Sequence, residues 1–350
     1  MTLPFLLLTL ALTAGPETPV PADTTTKPAK PEKAGKRFSL DVGGLLQLRG
    51  GYDTLSEEGR YSIPRARFLL KGGLDKLLEM NLGVDLGDFE ARFVNAFVNV
   101  RAFKKDLQVR LGRMKRPFLR ERLTSASDLV LVDRSILSGT FGDKRDYGLM
   151  LHNGLEGKEG LEWAVGLFGD YDAEDFLEDK DKPEFNSILA LRLGYAMDGL
   201  DGYDDVDRHG GPIRVGGSAA ALVAFDRAAP EQRETGYRVE ADVLLRLYGV
   251  TLNVGALASS LDVAVAKPDR IGVFGAADVF FLGMLDVGAR YSLDRTDEEQ
   301  RSEALVSVGT WLFEDHLRIV LDGAWLGHRL ASGSPVDADE GRVRVQVQVK

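Results

Sequence analysis

From Phe38 to Lys350 the chain alternates apolar and polar residues at a period of two, in short segments broken by glycine-rich or charged connections. A period of two puts every other side chain on the same face of an extended strand, so each segment lies between two different surroundings. The last segment shows this plainly: Val343, Val345, Val347 and Val349 alternate with Arg344, Gln346 and Gln348. In residues 235–248, Tyr237, Val239, Ala241, Val243, Leu245 and Leu247 share one face, with Arg238, Glu240, Asp242 and Arg246 opposite. A soluble sandwich alternates in the same way, so one segment leaves the surroundings open.

The number of segments narrows the choice. The pattern predicts strands near 38–52, 61–73, 77–86, 90–103, 107–113, 146–153, 160–170, 185–196, 212–225, 235–248, 250–260, 270–281, 282–293, 301–313, 316–326 and 341–350, sixteen in all. Strands that cross a membrane as a barrel need about 9 to 11 residues, come in even numbers in bacteria, and join by short turns at one end and longer loops at the other. The junctions after even-numbered strands are tight, at 74–76, 104–106, Gly249, Phe281-Leu282 and Glu314-Asp315. Those after odd-numbered strands are mostly longer and charged, at 171–184, 226–234, 294–300 and 327–340. Residues 197–211 break this rule and are either a long inner turn or a miscounted strand pair. The expected fold is all-β, a transmembrane antiparallel up-and-down β-barrel of about sixteen strands.

Composition excludes several classes. Apolar residues are 44% and charged residues 28% of the 350, and after the first fifteen residues no apolar run approaches the roughly 18 positions a transmembrane helix requires. A formal charge of −10 argues against nucleic acid as a partner, since binding there needs a basic surface. With no cysteine, disulfides, thiolate chemistry, cysteine-ligated zinc and a lipidated N-terminal cysteine are all excluded. Residues 1–15 carry an apolar core followed by small residues, as a signal peptide does, with prolines 16, 19 and 21 directly after. Residues 16–37, rich in Pro, Thr and Lys, read as a disordered periplasmic tether, and residues 38–350 as the barrel.

With the apolar face toward lipid, the opposite face lines a lumen. It carries Gln47, Arg49, Arg65, Arg67, Lys71, Arg110, Arg192, Arg238, Arg246, Arg290, Arg318 and Arg344, partly balanced by Glu79, Asp85, Glu162, Glu240, Asp242, Asp286 and Asp322. Aromatics at strand ends, among them Tyr52, Tyr147, Tyr195, Phe225, Tyr237, Phe280, Tyr291 and Trp325, are expected in interfacial girdles. The connection at 114–145 is long enough to be functional, with Phe118, Leu123 and Leu129 to Val132 able to pack inside the barrel. Folded inward it forms a constriction, the preferred reading; folded outward it forms a lid. The candidate lining and constriction residues are Arg65, Arg67, Lys71, Arg110, Arg113, Lys115, Arg116, Arg120 and Arg122, because rings of Arg or Lys bias a wet pore toward anions.

The stretch Gly112-Arg-Met-Lys-Arg-Pro-Phe-Leu-Arg-Glu-Arg-Leu-Thr-Ser-Ala-Ser-Asp128 resembles the phosphate-selective porin O and P family. So do Pro64-Arg-Ala-Arg-Phe-Leu-Leu-Lys-Gly72, Arg145-Asp-Tyr-Gly-Leu-Met-Leu-His-Asn-Gly154 and Gly166-Leu-Phe-Gly169, in the same order and spacing. The resemblance is specific over about residues 60–170 and architectural beyond. It implies a sixteen-stranded trimeric outer-membrane channel whose third outer loop, here the one after the fifth strand, folds into the lumen. The chain ends in Lys350, where a terminal aromatic is expected as a barrel-assembly signal, and no uninterrupted arginine ladder aligns onto the later strands.

The expected function is passive diffusion of small hydrophilic solutes through the outer membrane with anion preference, phosphate among the candidates. The expected partners are outer-membrane lipid, small anionic solutes and two further copies in a homotrimer, with no cofactor and no metal. Two other readings compete. One is a structural barrel that anchors the envelope through the tether lysines of residues 27–37. The other is an outer-membrane hydrolase using His152 with Ser125 or Ser127, though the sequence has neither a G-x-S-x-G elbow nor an H-E-x-x-H pair.

Overall fold

Sixteen strands of alternating residues close into one antiparallel barrel, each paired with its sequence neighbours and the first with the last. The structure, a computed structural model, describes residues 38–75, 77–103, 107–141, 145–155, 157, 159–169, 187–208, 210–225, 235–260, 269–313, 316–330 and 339–350. The expected signal peptide and tether, the loops at 171–184 and 226–234, and most of the loop at 327–340 lie outside the described residues. The strands are β1 (Phe38–Asp53), β2 (Glu58–Leu74), β3 (Leu78–Asp85), β4 (Arg92–Phe103), β5 (Leu107–Lys115) and β6 (Arg145–His152). They continue as β7 (Gly160–Gly169), β8 (Ser187–Ala196), β9 (Arg214–Phe225), β10 (Thr235–Leu247) and β11 (Val250–Ser260). The circuit is completed by β12 (Arg270–Phe281), β13 (Leu285–Thr296), β14 (Glu299–Leu312), β15 (Leu317–Leu330) and β16 (Glu340–Val349).

Closure comes from β1 pairing with β16, from Leu46 opposite Val349 to Asp53 opposite Arg342. A closed circuit leaves no strand edge, which is what a sheet surrounded by lipid requires. The apolar half of the alternation points outward: Leu46, Leu48, Leu321, Val343 and Val345 are exposed, while Gln47, Asp322, Gln346 and Gln348 between them are buried. Other inward positions are apolar, among them Met150, Phe168 and Leu257, where inserted chain packs on the wall.

One open alternative is decided and two sequence expectations change. The stretch at 197–211 is a single connection between β8 and β9, so the count stays at sixteen and the long-inner-turn alternative holds. The stretch at 294–300 is mostly strand, because Asp294 is an inward wall residue bonded to Arg270, and only Asp297 and Glu298 turn the chain. Phe280 does not join the outer girdle. Val279 and Phe281 take the outward positions, and Phe280 packs inside against a cluster containing Val130 and Leu131.

Among the described ladders, register shifts occur between β1 and β2 at Gln47/Arg49, between β3 and β4 at Gly83/Val84, and between β4 and β5 at Val100/Phe103. All three lie in the first five strands. The first accommodates Pro64, which has no N–H to give a ladder and is tolerated at a bulge. Bulges re-aim side chains, and this arc of the wall carries Arg65, Arg67 and the approach to the long loop.

The candidate lumen constriction

A sixteen-stranded barrel is too wide for wall side chains to fill, so its lumen holds either water or inserted chain. Here the connection at 116–141 is inserted, and β5, which precedes it, carries a glycine in a left-handed conformation. Gly112 has φ +124°, and a Cβ there would stand 2.2 Å from the Ala96 carbonyl oxygen, so only glycine fits. Within the connection, α1 (Arg120–Leu123) and α2 (Ile136–Thr140) are single turns, and Phe118, Leu119, Leu137 and Phe141 pack against Met150, Ala190 and Leu257 of the wall.

The inserted chain is bonded to most of the circumference. Arg120 meets Asp242 of β10 through Nε at 2.6 Å and Nη2 at 2.8 Å, and its N–H donates to Glu240 at 3.1 Å. Arg192 of β8 donates to the Phe118 carbonyl at 2.6 Å, and Arg318 of β15 to the carbonyls of Leu129 and Val130. Arg49 of β1 and Arg344 of β16 both reach Asp133, at 2.9 and 2.6 Å. Arg290 of β13 joins Glu121 at 3.0 Å. Burial opposes the charge of Glu121, but Arg290 and the Ser135 and Ser138 donors outweigh it and hold the carboxyl below its ordinary value.

From the opposite end of the barrel the connection at 197–213 rises to meet this loop. The N–H of Asp205 donates to the Asp128 carbonyl at 3.2 Å, and Arg120 Nη1 donates to the Gly202 carbonyl at 2.6 Å. Five arginines in this region are matched to carboxylates. Arg192 faces Glu162, Arg270 faces Asp294, Arg290 faces Glu303, Arg318 faces Asp286 and Arg344 faces Asp322.

The arc from β2 to β6 is different. Lys115 lies within electrostatic reach of Arg67, Arg122, Arg134 and Arg145, and Arg65 within reach of Arg67 and Arg134. Among the described residues these cations bond mainly to neutral oxygens. Lys115 donates to the carbonyls of Leu123 and Thr124 at 2.8 and 3.2 Å. Arg134 donates to those of Glu121 and Thr124, both at 2.8 Å. Arg65 donates to Gln47 Oε1 at 2.6 Å, Arg145 to Asn95 Oδ1 at 3.1 Å and Arg122 to the Ser138 carbonyl at 2.6 Å. Arg67 holds a carboxylate directly, Asp85 at 2.6 Å. Burial draws the Arg134 guanidinium down to about 10, with Arg122 and Arg67 adding to the effect against Glu121.

The nine sequence candidates thus separate. Arg65, Arg67, Lys115 and Arg122 converge, joined by Arg134 and Arg145, which the sequence reasoning did not select although both sit in the same long segment. Arg113 stands opposite Tyr147 in the β5–β6 ladder, 5.8 Å from the ring centroid. Arg116 and Arg120 are buried against Asp146 and Asp242, at 3.5 and 2.6 Å. Lys71, opposite Asp41, and Arg110, 4.5 Å over Phe97, lie toward the short-turn end of the barrel.

His152 is fully buried, with Nε2 3.1 Å from Asn99 Oδ1 and Nδ1 accepting from the Gly154 N–H at 3.0 Å. Both ring nitrogens are thereby engaged in fixing the end of β6. Among the described residues no three His, Cys, Asp or Glu side chains are grouped to hold a metal ion.

Residues 33–204 match the family described as phosphate-selective porin O and P. No curated protein matches the chain at a significant level. Among solved structures the chain is similar to the outer membrane channel DcaP of Acinetobacter baumannii, with TM-score 0.62 and 14% identity over 91% of this chain and 98% of that one. It is also similar to OprB of Pseudomonas putida, at 0.59 and 11% over 90% and 94%. In-vitro folded OmpT in its trimer form, an outer membrane protein of Vibrio cholerae, gives 0.57 and 12% over 89% and 99%. At these identities the likeness is one of fold, and it covers the whole barrel. Over residues 33–204 the chain is similar to the phosphate-selective porin O and P family, and over the whole barrel it has the fold of these outer-membrane proteins.

Proposed function

We propose that the protein is an outer-membrane porin through which small hydrophilic solutes diffuse, that it prefers anions, and that phosphate is among those it passes. The carrying observation is the asymmetry of charge inside the barrel. Elsewhere on the wall Arg192, Arg270, Arg290, Arg318 and Arg344 each face a carboxylate, whereas Arg65, Lys115, Arg134 and Arg145 gather on one arc with carbonyl and amide oxygens as partners. Crowded cations in a narrow, low-dielectric channel raise the local concentration of anions and repel cations. In this reading Arg65, Arg67, Arg113, Lys115 and Arg122, with Arg134 and Arg145, set selectivity, Lys71 and Arg110 draw anions along the inner mouth, and Arg116 and Arg120 hold the loop in place.

Purified protein in planar bilayers under a potassium chloride gradient tests this. The reversal potential should lie on the chloride side, and millimolar phosphate should reduce chloride current. A potential of zero or on the potassium side removes the anion preference. A folded barrel with no current removes the channel and favours the envelope-anchoring alternative. A homotrimer is part of the same proposal, supported by the family match over residues 33–204 and by the trimer form of the similarly folded Vibrio cholerae protein. Its detergent-corrected mass should be three times that of one chain.

A further inference from the structure

Where the inserted loop, the 197–213 connection and the wall meet, a cavity of about 60 Å³ remains. At roughly 10–15 Å³ of such volume per water, it has room for about four waters. On its wall side Thr251 and Asp278 stand opposite each other in the β11–β12 ladder, and Asn253 lies two residues along the same face. Asp278 is 5% exposed, and no donor among the described residues reaches either of its carboxylate oxygens. Asn253 Oδ1 and Thr251 Oγ1 are also buried without a partner among the described residues.

Across the cavity stand Asp205 from the connection and Glu121 from the loop. Glu121 is already satisfied by Ser135, Ser138 and Arg290. Arg290, the cation in this lining, is spent on Glu121 and Glu303. What faces the space is therefore a set of oxygens with almost no donors. A buried carboxylate in that position is strongly unfavourable unless something positive neutralises it.

We propose that this cavity binds a small hard cation, a divalent ion such as Ca²⁺ with part of its water shell, through Asp278, Asp205, Asn253 Oδ1 and Thr251 Oγ1. Ca²⁺ takes six to eight oxygen ligands in flexible geometry. Two carboxylates balance its charge, the two neutral oxygens fill further positions, and water completes the shell. The ligands come from the wall and from the 197–213 connection, with Val130 and Leu131 of the loop also lining the cavity, so the ion ties that connection to the wall. This binding does not depend on the anion reading. A channel without anion preference would still bind the ion.

The test is calorimetric titration of the full-length folded protein, stripped with chelator, with CaCl₂. One site per chain is expected, with a dissociation constant at or below about 1 mM. Asp278→Asn should weaken it at least ten-fold, and Ca²⁺ should raise the urea midpoint of the wild type but not of the variant. Thr251→Val and Asn253→Leu, which add no charge, should each weaken binding several-fold and serve if Asp278→Asn does not fold. No saturable binding to the wild type overturns the proposal, as does affinity unchanged in these variants, which puts the ion elsewhere. If Asp278 instead holds a proton, its asparagine variant will match the wild type in stability and Ca²⁺ will shift neither, which also overturns it.

Discussion

Lys115 and Arg134 donate to the same atom: the Lys115 ammonium and Arg134 Nη2 lie 3.2 and 2.8 Å from the carbonyl oxygen of Thr124. Two like charges held on one neutral acceptor repel each other, and a passing anion relieves that repulsion. Replacing both residues by glutamine should shift the reversal potential toward potassium and lower the anion-to-cation permeability ratio several-fold, with the barrel intact by heat-modifiable gel mobility. The same change at Arg270, paired with Asp294 near the other side, should move the ratio less. Equal shifts would assign selectivity to the whole wall rather than to this cluster.

Removing the Arg120 anchor should release the loop. Its guanidinium and the Asp242 carboxylate are both buried, and taking away one partner of such a pair costs about 3–5 kcal/mol because the other charge is stranded. Arg120→Gln should therefore increase single-channel conductance and current noise, and make the chain between Arg116 and Arg145 accessible to protease. Conductance equal to that of the wild type would mean that the remaining bonds, from Arg192, Arg290 and Arg318, hold the loop without it.

Close packing supplies an independent handle on the same loop. A Cβ at Gly288 would lie 2.4 Å from Val130 Cγ1 and 3.2 Å from Leu131 Cδ2, so Gly288→Ala pushes directly on the inserted chain. Overpacking of this kind costs about 1–3 kcal/mol. The expected result is a lower urea midpoint and faster proteolysis of the loop, relieved in the double variant with Val130→Ala. A Gly288→Ala channel as stable as the wild type would show that β13 can shift to make room.

Acid should stabilise the region around Asp205. Burial lifts its carboxyl to about 7 from an ordinary 3.8, with Glu121 and Asp204 adding and Arg246 and the Val130 backbone opposing, and Asp278 faces it across the cavity. The folded state thus holds a proton that the unfolded state has released, so stability is greatest below about 4, falls as pH rises toward about 7, and levels off above. Urea midpoints without divalent cations should follow that course, and Asp205→Asn should flatten it. A midpoint that rises across this window, with the same slope in the variant, would place the controlling group elsewhere.

The sequence by itself determined the sheet. A two-residue period is a local property, read from each segment without knowing its neighbours, and in Val343 to Val349 it already says which face meets lipid. It did less well where the period fails. Val279, Phe280 and Phe281 are all apolar, so only the ladder shows that Phe280 turns inward. Asp294 to Gln300 are nearly all polar, so strand residues on the lumen side read as loop. The basic loop was also legible as a candidate, because Lys115, Arg116, Arg120 and Arg122 lie close together in the chain.

What those charges do was decided by tertiary structure. Arg120 finds Asp242, 122 positions away, and becomes an anchor. Lys115 and Arg134 meet at the carbonyl of Thr124. Pairing between residues so far apart leaves no mark on local composition, since a buried ion pair and a wet cation are spelled with the same letter. The cavity beside Asp278 is of the same kind: it exists because two separate connections enter the barrel from opposite ends and stop short of filling it.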